Sequence, residues 1–583
     1  MKNENKTLVE SEHGRRKFLQ TLVALGMSSA VAPGGQMKQD DGVISVDTLK
    51  AAEKISGIEL SGKEREEILE GVKENRAIYD AFREQRMDYF QFPSLMFNPV
   101  PPGIRFDLKK KKPVFSDAPI RRPSQVEDLA FCSVLQLAGL LKTRKMTSLE
   151  LTEMYLSRLK RYDDQLQFLV TLTEGLALQQ AKKADQEIGA GKYKGLLHGI
   201  PYGIKDLFAV KGYPTTWGTG VFKDRVIDLD ATVVKRLEAA GAVLVAKLAT
   251  GTLASGSRWF GGQTKSPWTL ASSGGSSAGP ASAVAAGCVA FSVGTETNGS
   301  MVSPCDACGV TGLRPTFGRI SRYGCMPVSW SFDKVTPIGR TVEDCAAVFN
   351  EIYGPDPFDN SVVNLPFNWN AGYDMRKLKL GYHSTYFDKA AKGIPLDAES
   401  KDWFESRSPA ITKVLVWFAD RGFDLVPLDI QLPHIGEGIM MEVEAAAAFD
   451  EFTRGLTDDL VEDQKWPRYH RIHRFVPAVE YLQAARYRSL LIQKMNDILK
   501  NVDVYMEMTW STNWSTNVTG LPIVVVPCGF LDNGEPTSVT FVGKLYQEDK
   551  LLAVAKAYQD ATGHHLKRPK LAIAIGPKEG ASL

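Results

Sequence analysis

Ala271-Ser272-Ser273-Gly274-Gly275-Ser276-Ser277-Ala278-Gly279 leads into the small, apolar run Ala281 to Val293, and Gly294-Thr295-Glu296-Thr297-Asn298-Gly299-Ser300 closes the stretch. Glycine and serine at this density ordinarily make a flexible linker. Two features oppose that reading. The tract lies within strongly patterned α/β sequence, and it feeds directly into an Ala-rich, helix-like segment. Glycines so placed let the backbone approach another segment or a ligand closely.

Working outward, Ile200, Tyr202 and Ile204 alternate with Pro201, Gly203 and Lys205, a strand pattern ending in lysine. Taken alone, Lys205 reads as a strand-end lysine with its ammonium in water. Beside the Ser/Gly tract it reads differently. A lysine buried among hydroxyls loses hydration, its pKa falls, and the neutral amine can act as a base. Further on, Asp230 is placed to cap a helix through Val233, Val234 and Leu237 that Gly241 ends, and Ala242 to Ala246 follows as a buried strand. Ile523 to Val526 is a second such strand. Helix-Gly-strand units of this kind build α/β architectures.

The rest of the chain is more variable. Helices are expected around 437–455 and 478–500, within a motif-poor part from about 350 to 510. Near the start, Ser61-Gly-Lys-Glu64 has capping-box spacing. Ile68, Leu69, Val72, Tyr79 and Phe82 then recur at helical intervals, so 45–90 is expected to be helical and amphipathic. Phe92-Pro93, Pro99, Pro101-Pro102 and the basic run Lys109 to Lys112 make an irregular strap. Arg15-Arg16-Lys17-Phe18-Leu19, an apolar run and small residues to Ala32 have the form of a twin-arginine export signal. Ala30-Val31-Ala32 suits cleavage, although Pro33 directly after it does not. The expected organisation is a signal over 1–36, a helical extension and strap over 37–125, and a catalytic domain over 126–575. Within that domain the patterned core runs from about 195 to 350.

Composition sets the outer limits. The chain has 583 residues, 44% apolar and 24% charged, and 70 basic against 68 acidic side chains leave a net charge of +2. Disorder, collagen-like repeats and a disulfide mini-scaffold are excluded. No basic concentration of the kind that binds nucleic acid is present. The signal's apolar run falls short of the ~20 residues that span a bilayer, and no later stretch is long enough, so no stable membrane span is expected. Seven cysteines are scattered without framework spacing. Cys305-x-x-Cys308 lacks a second ligand pair nearby for zinc, His470-x-x-His473 lying far along the chain, and most of the thiols read as buried small hydrophobes.

With Gly199-Ile200-Pro201-Tyr202-Gly203-Ile204-Lys205-Asp206, the Gly274 to Ser277 tract, Gly294 to Ser300, and Cys308 to Thr316 in order, the chain resembles the amidase signature family. The likeness runs from about 126 to 350 and resumes from Thr519 to Phe530. It implies a large mixed β-sheet with helices on both faces, here with an N-terminal helical extension. It also implies a Ser-Ser-Lys triad: Ser300 as nucleophile, Ser276 as bridging serine with a cis peptide bond before it, and Lys205 as base. Backbone N–H groups of Thr297, Asn298, Gly299 and Ser300 would form the oxyanion hole. The expected substrate is a small-molecule amide, with no metal or cofactor, and a homodimer is one expected assembly.

The chain departs from the family pattern at several places. Ala278 and Pro280 replace a glycine and a serine, Glu296 replaces an aspartate, Asn298 a glycine and Val302 an arginine. With no arginine at 302, either Arg314 or Lys334 is expected to compensate Glu296, or water does. Three other readings stay open at this point. Gly275-Ser276-Ser277-Ala278-Gly279 also fits the α/β-hydrolase elbow, with Ser277 as nucleophile and His470 or His565 as base. Ser321-Arg322-Tyr323-Gly324 resembles the glutamine-hydrolysing amidase component of tRNA-dependent amidotransferases. A non-catalytic binding protein could share the scaffold. Pocket walls are expected among Trp217, Trp259, Tyr323, Met326, Trp330, Trp510 and Trp514.

Overall fold

The structure, a computed structural model, describes residues 44–84, 89–391, 401–434, 436, 438–455, 461–462, 465–509 and 513–571. The expected signal over 1–36, Trp510 and positions 572–575 lie outside these residues. The chain forms two compact units, Met1–Phe82 and Arg83–Leu583.

The first unit is helical where it is described. Ser45 caps a helix Val46–Ser56, and Gly57 ends it at φ 67°. The second helix, Gly62–Glu84, opens with the expected box: Ser61 N–H donates to Glu64 Oε2 (2.7 Å), and Glu64 N–H to Ser61 Oγ (3.3 Å). Arg65 grips the Glu53 carboxylate through two bonds of 2.6 and 2.8 Å. The apolar stripe is shallow, since Ile68 is exposed and Leu69 and Val72 are only half-buried.

The second unit is built on a mixed sheet of eleven strands. In chain order the strands are β1 (Leu169–Leu172), β2 (Pro201–Lys205), β3 (Val243–Leu248), β4 (Arg258–Trp259), β5 (Gly262–Gln263), β6 (Phe291–Glu296), β7 (Thr311–Arg314), β8 (Lys334–Gly339), β9 (Leu380–His383), β10 (Val426–Leu428), β11 (Val504–Met508), β12 (Ile523–Phe530) and β13 (Pro536–Gly543). Strands β4 and β5 form a separate two-stranded ribbon, and the others lie in the order β1-β3-β2-β6-β8-β7-β12-β13-β11-β9-β10. β3, β2 and β6 run parallel, while β6–β8, β8–β7, β7–β12 and β12–β13 are antiparallel.

Helices cover both faces, which is why the central strands read as unbroken apolar runs. Alternate residues feed two cores: Val524 and Val526 of β12 enter one, with Tyr202, Ile204 and Leu244, and Ile523 and Val525 the other, with Val243 and Val245. The expected strands at 200–205, 242–246 and 523–526 all form. So do helices Ile439–Ala448, Asp450–Arg454 and Ala478–Ile498, within the expected ranges.

Two local expectations are corrected. The helix after Asp230 is Thr232–Ala239 with Ala231 at its N-cap, and Asp230 instead accepts from Lys211 N–H (2.8 Å). The Ala-rich run is not one helix to Val293. It forms a buried helix Ala278–Ala285 and then β6, because Gly287 (φ 66°) turns the chain back into the sheet.

The Pro-rich strap packs against the second unit, of which it is part. Phe97 lies 3.4 Å under the Arg488 guanidinium, Phe92 lies 4.9 Å under Arg322, and Lys111 N–H donates to Asn368 Oδ1 (2.8 Å). Lys109 to Lys112 are exposed, as a charge run on a loop should be. All seven cysteines are buried and unbridged. Among the described residues no helix is long and apolar enough to cross a membrane.

Candidate active site

Three parallel strands converge where the chemistry-bearing loops emerge. β2 ends in Lys205, which is fully buried. β6 ends in Glu296 and passes directly into the loop carrying Ser300. The Gly-Ser tract crosses between them, with a cis peptide bond at Gly275–Ser276. Glycine is required there on steric grounds. A Cβ on Gly275 would stand 1.8 Å from Gly256 O, and one on Gly274 (φ +68°) 2.3 Å from Ser303 Oγ. The tract is therefore a close-packed crossing and not a linker. Ser277 N–H donates to Ser300 C=O (2.9 Å), tying the two serine segments together.

The three sequence-predicted side chains meet. Lys205 Nζ stands 2.8 Å from Ser276 Oγ, and Ser276 Oγ stands 3.0 Å from Ser300 Oγ. Lys205 Nζ also lies 2.7 Å from Thr295 Oγ1 and 3.2 Å from Ser277 Oγ. Three hydroxyls surround the nitrogen, and no carboxylate touches it. An ammonium can donate to all three hydroxyls, and a neutral amine, with two N–H groups and one lone pair, can donate to Thr295 and Ser277 while accepting from Ser276. Burial without a charged partner pulls the Lys205 amine down from its ordinary 10.5 to about 7.

The hydroxyl of Ser277 is occupied by this arrangement. It donates to Thr295 C=O (2.9 Å) and receives Thr295 N–H (3.2 Å). Among the described residues no histidine hydrogen-bonds it; His470 is stacked between Phe449 and Trp466. The segment before it is not the strand that a nucleophile elbow requires.

Of the three compensations expected for Glu296 (Arg314, Lys334 or water), the structure shows the first. Arg314 Nη1 lies 3.0 Å from Glu296 Oε1, both side chains fully buried. Lys334 instead donates to Asn517 Oδ1 (2.6 Å). Glu296 also receives N–H groups of Gly299 (3.0 Å), Met301 (2.5 Å) and Val302 (3.2 Å). Burial opposes its charge, but Arg314 and these N–H groups outweigh it and hold the carboxyl below its ordinary value. The Gly299 N–H, one of the four expected to form the oxyanion hole, donates to the acid inside the loop. The Thr297 side chain is fixed separately, donating to Asp333 Oδ1 (2.6 Å).

Sequence reasoning missed an outer clamp. Asn513 and Asn517, on the helix Asn513–Thr519, reach the nucleophile loop from far along the chain. Asn517 Nδ2 lies 3.3 Å from Glu296 Oε1. Asn513 meets the loop with its amide either way round: Nδ2 donates to Asn298 Oδ1 (2.8 Å), or, turned over, its oxygen accepts from Gly299 N–H (3.1 Å). Thr295 was missed too, although its position just before Glu296 puts it on the strand that borders the tract.

Ser276 and Ser300 open onto a cavity of about 300 Å³. Its walls include Val328, Met441, Glu442, Trp466 and Tyr469, and, among the described residues, none of the aromatics expected from the sequence. Met326 and Trp330 line a smaller cavity beside Thr295 that shares Thr297 and Val328 with the first. Trp217 is wholly buried, packed edge-on against Tyr89 and Phe449. Trp514 stacks on Phe332.

A mixed sheet with helices on both faces, glycine-lined crossings, and a buried amine beside two serines define a hydrolase of amide C–N bonds. The chain belongs to the amidase signature family: the family model for amidases matches residues 150–516. A glutamyl-tRNA(Gln) amidotransferase component of Roseiflexus sp. (strain RS-1) is 32% identical over 483 residues, 74% of this chain and 96% of that protein. The same component from Methylococcus capsulatus (strain ATCC 33009 / NCIMB 11132 / Bath) is 31% identical over 496 residues, 75% of this chain and 98% of that one. Among solved structures, an amidase family protein from Bacillus anthracis str. Ames superposes with a TM-score of 0.67 at 26% identity, covering 76% of this chain and 94% of that one. The peptide amidase of Stenotrophomonas maltophilia gives 0.64 at 27% identity, covering 76% and 99%.

Proposed function

We propose that the protein hydrolyses a small carboxylic acid amide through an acyl-enzyme on Ser300, with Ser276 and Lys205 as its proton relay. The observation that carries this reading is the unbroken chain of contacts, 2.8 Å from Lys205 Nζ to Ser276 Oγ and 3.0 Å on to Ser300 Oγ, ending at a cavity. An amide carbonyl is a poor electrophile, so the attacking hydroxyl must lose its proton as it attacks. Ser300 Oγ bonds to the carbonyl carbon while its proton passes to Ser276 and that of Ser276 to neutral Lys205. The N–H groups of Thr297, Asn298 and Ser300 receive the oxyanion, each such donor being worth about 10²–10³ in turnover. The C–N bond then breaks as Lys205, through Ser276, returns the proton to the leaving nitrogen. Water attacks the acyl-enzyme by the same relay, releasing the acid and restoring Ser300. The test is a panel of amides and esters turned over by the wild type and by Ser300→Ala. Undiminished amide cleavage by the variant would overturn the assignment.

Export through the twin-arginine route belongs to the same proposal, resting on Arg15-Arg16-Lys17-Phe18-Leu19 and the run to Ala32. Fractionating cells that express the chain with and without residues 1–36 decides it. A second reading, glutamine hydrolysis as the amidase component of an amidotransferase, is favoured by the 32% identity to a protein of that kind. Export would separate the chain from aminoacyl-tRNA, so the same fractionation, with glutamine added to the panel, discriminates between the two.

A further inference from the structure

The cavity over Ser300 has one wall that the relay does not use. Helix Ile439–Ala448 contributes Met441 and Glu442 to it, and helix Lys465–His473 contributes Lys465, Trp466 and Tyr469. Among the described residues lining that cavity, Glu442 is the one carboxylate. Its Oε2 lies 2.6 Å from His473 Nε2, and His473 Nδ1 lies 2.8 Å from Tyr469 C=O. The carbonyl can only accept, so Nδ1 carries a hydrogen. One further proton is then shared between His473 Nε2 and Glu442 Oε2. Wherever that proton sits, Glu442 Oε1 keeps its lone pairs, and among the described residues only His473 engages the carboxylate. The histidine thus holds a hydrogen-bond acceptor at the cavity wall.

The leaving nitrogen has to lie by Ser276, which returns its proton, so the open part of the cavity is left to the acyl group. A volume of about 300 Å³ suits a small molecule, not a polymer. We propose that Glu442 accepts a hydrogen bond from an amino group on the acyl portion, so that the preferred substrates are amides of amino acids. This rests on Ser300 being the nucleophile. A site that hydrogen-bonds a substrate N–H disfavours the analogue lacking it, because the acceptor, here the half-buried Glu442, loses that partner.

Matched pairs test the proposal: leucinamide against 4-methylpentanamide, and phenylalaninamide against 3-phenylpropanamide. The wild type is expected to favour the amino member of each pair by about tenfold or more in kcat/KM. Glu442→Leu should bring each ratio to within about threefold of unity. Glu442→Gln, which keeps an acceptor and the shape, should retain part of the preference and covers the case in which the leucine variant does not fold. Equal rates within the pairs for the wild type, or ratios unchanged in both variants, overturn the inference and leave the Ser300 reading standing. No turnover of any amide, with no fluorophosphonate labelling of Ser300, removes both together.

Discussion

Two lysines sit on adjacent parallel strands, and both are wholly buried. Lys205 ends β2, and Lys247 lies beside it on β3, opposite Ile204. Their surroundings differ in one respect. Lys247 Nζ pairs with Asp206 Oδ1 at 2.6 Å and also reaches Pro214 C=O (2.5 Å) and Thr215 Oγ1 (2.7 Å). Lys205 meets only hydroxyls. Desolvation lowers both amines, but at Lys247 the Asp206 carboxylate works against it, whereas Lys205 falls to about 7. Burial alone therefore does not make a base. The absence of a carboxylate at hydrogen-bond distance does, and one strand over the same side chain becomes a structural ion pair.

The comparison is broken most directly by removing each amine. Ser300→Ala should abolish amide turnover, and Lys205→Met should cost about 10³-fold or more in kcat, both with wild-type far-UV circular dichroism. Lys247→Met should do the opposite: it strands Asp206 as an unpaired buried charge and costs about 3 kcal/mol in denaturant unfolding, yet keeps the pH profile of the wild type. A Lys247→Met enzyme whose profile shifted would show that the two sites are not separate.

Protonation sharpens the contrast. The relay needs a neutral Lys205, so kcat/KM should fall as pH drops through about 7, tenfold per unit well below it. A flat profile from pH 5 to 9 would contradict the reading. Stability follows the same shift. Because the folded amine titrates near 7 and the unfolded one near 10.5, the unfolded state binds more protons between those values. Stability accordingly rises with pH across that window. Lys205→Met should raise Tm most below pH 7, with the gain fading towards pH 10.5. The smallest effect concerns the outer clamp. Asn513→Ala should lower kcat about fivefold with KM unchanged, and should do nothing further in an Asn298→Gly, Glu296→Gln background if it acts through the loop.

The legible parts of the molecule were those whose signal is local. Alternation over 200–205 and the apolar runs at 242–246 and 523–526 state a strand because neighbouring side chains face opposite covered sides. The capping box at Ser61 and Glu64 is likewise a contact three residues apart. The missing arginine at 302 left Arg314, Lys334 or water as partners for Glu296, and the structure selects Arg314. Local signals also failed. Asp230 has the right type for a cap but spends its carboxylate on Lys211, and the Ala-rich run hides the turn at Gly287 that divides helix from strand.

The distant parts were silent. Asn513 comes to Asn298 across 215 positions, and Glu442, Trp466 and Tyr469 arrive from the motif-poor segment. No periodicity marks a wall residue, since its role depends on which helix end is packed over the serines. The aromatics nearest the motifs in sequence went into cores and other cavities instead.

By itself, then, the sequence determined the strand-ending lysine, the glycine crossing and the serines, because close backbone approach demands glycine wherever it occurs. Only the tertiary structure decided which of two buried lysines lacks a carboxylate partner, which N–H of the nucleophile loop already donates to the acid, and which residues line the cavity. Those outcomes depend on partners brought within about 3 Å from remote segments, a distance scale on which hydrogen bonds and desolvation act and which chain order does not encode.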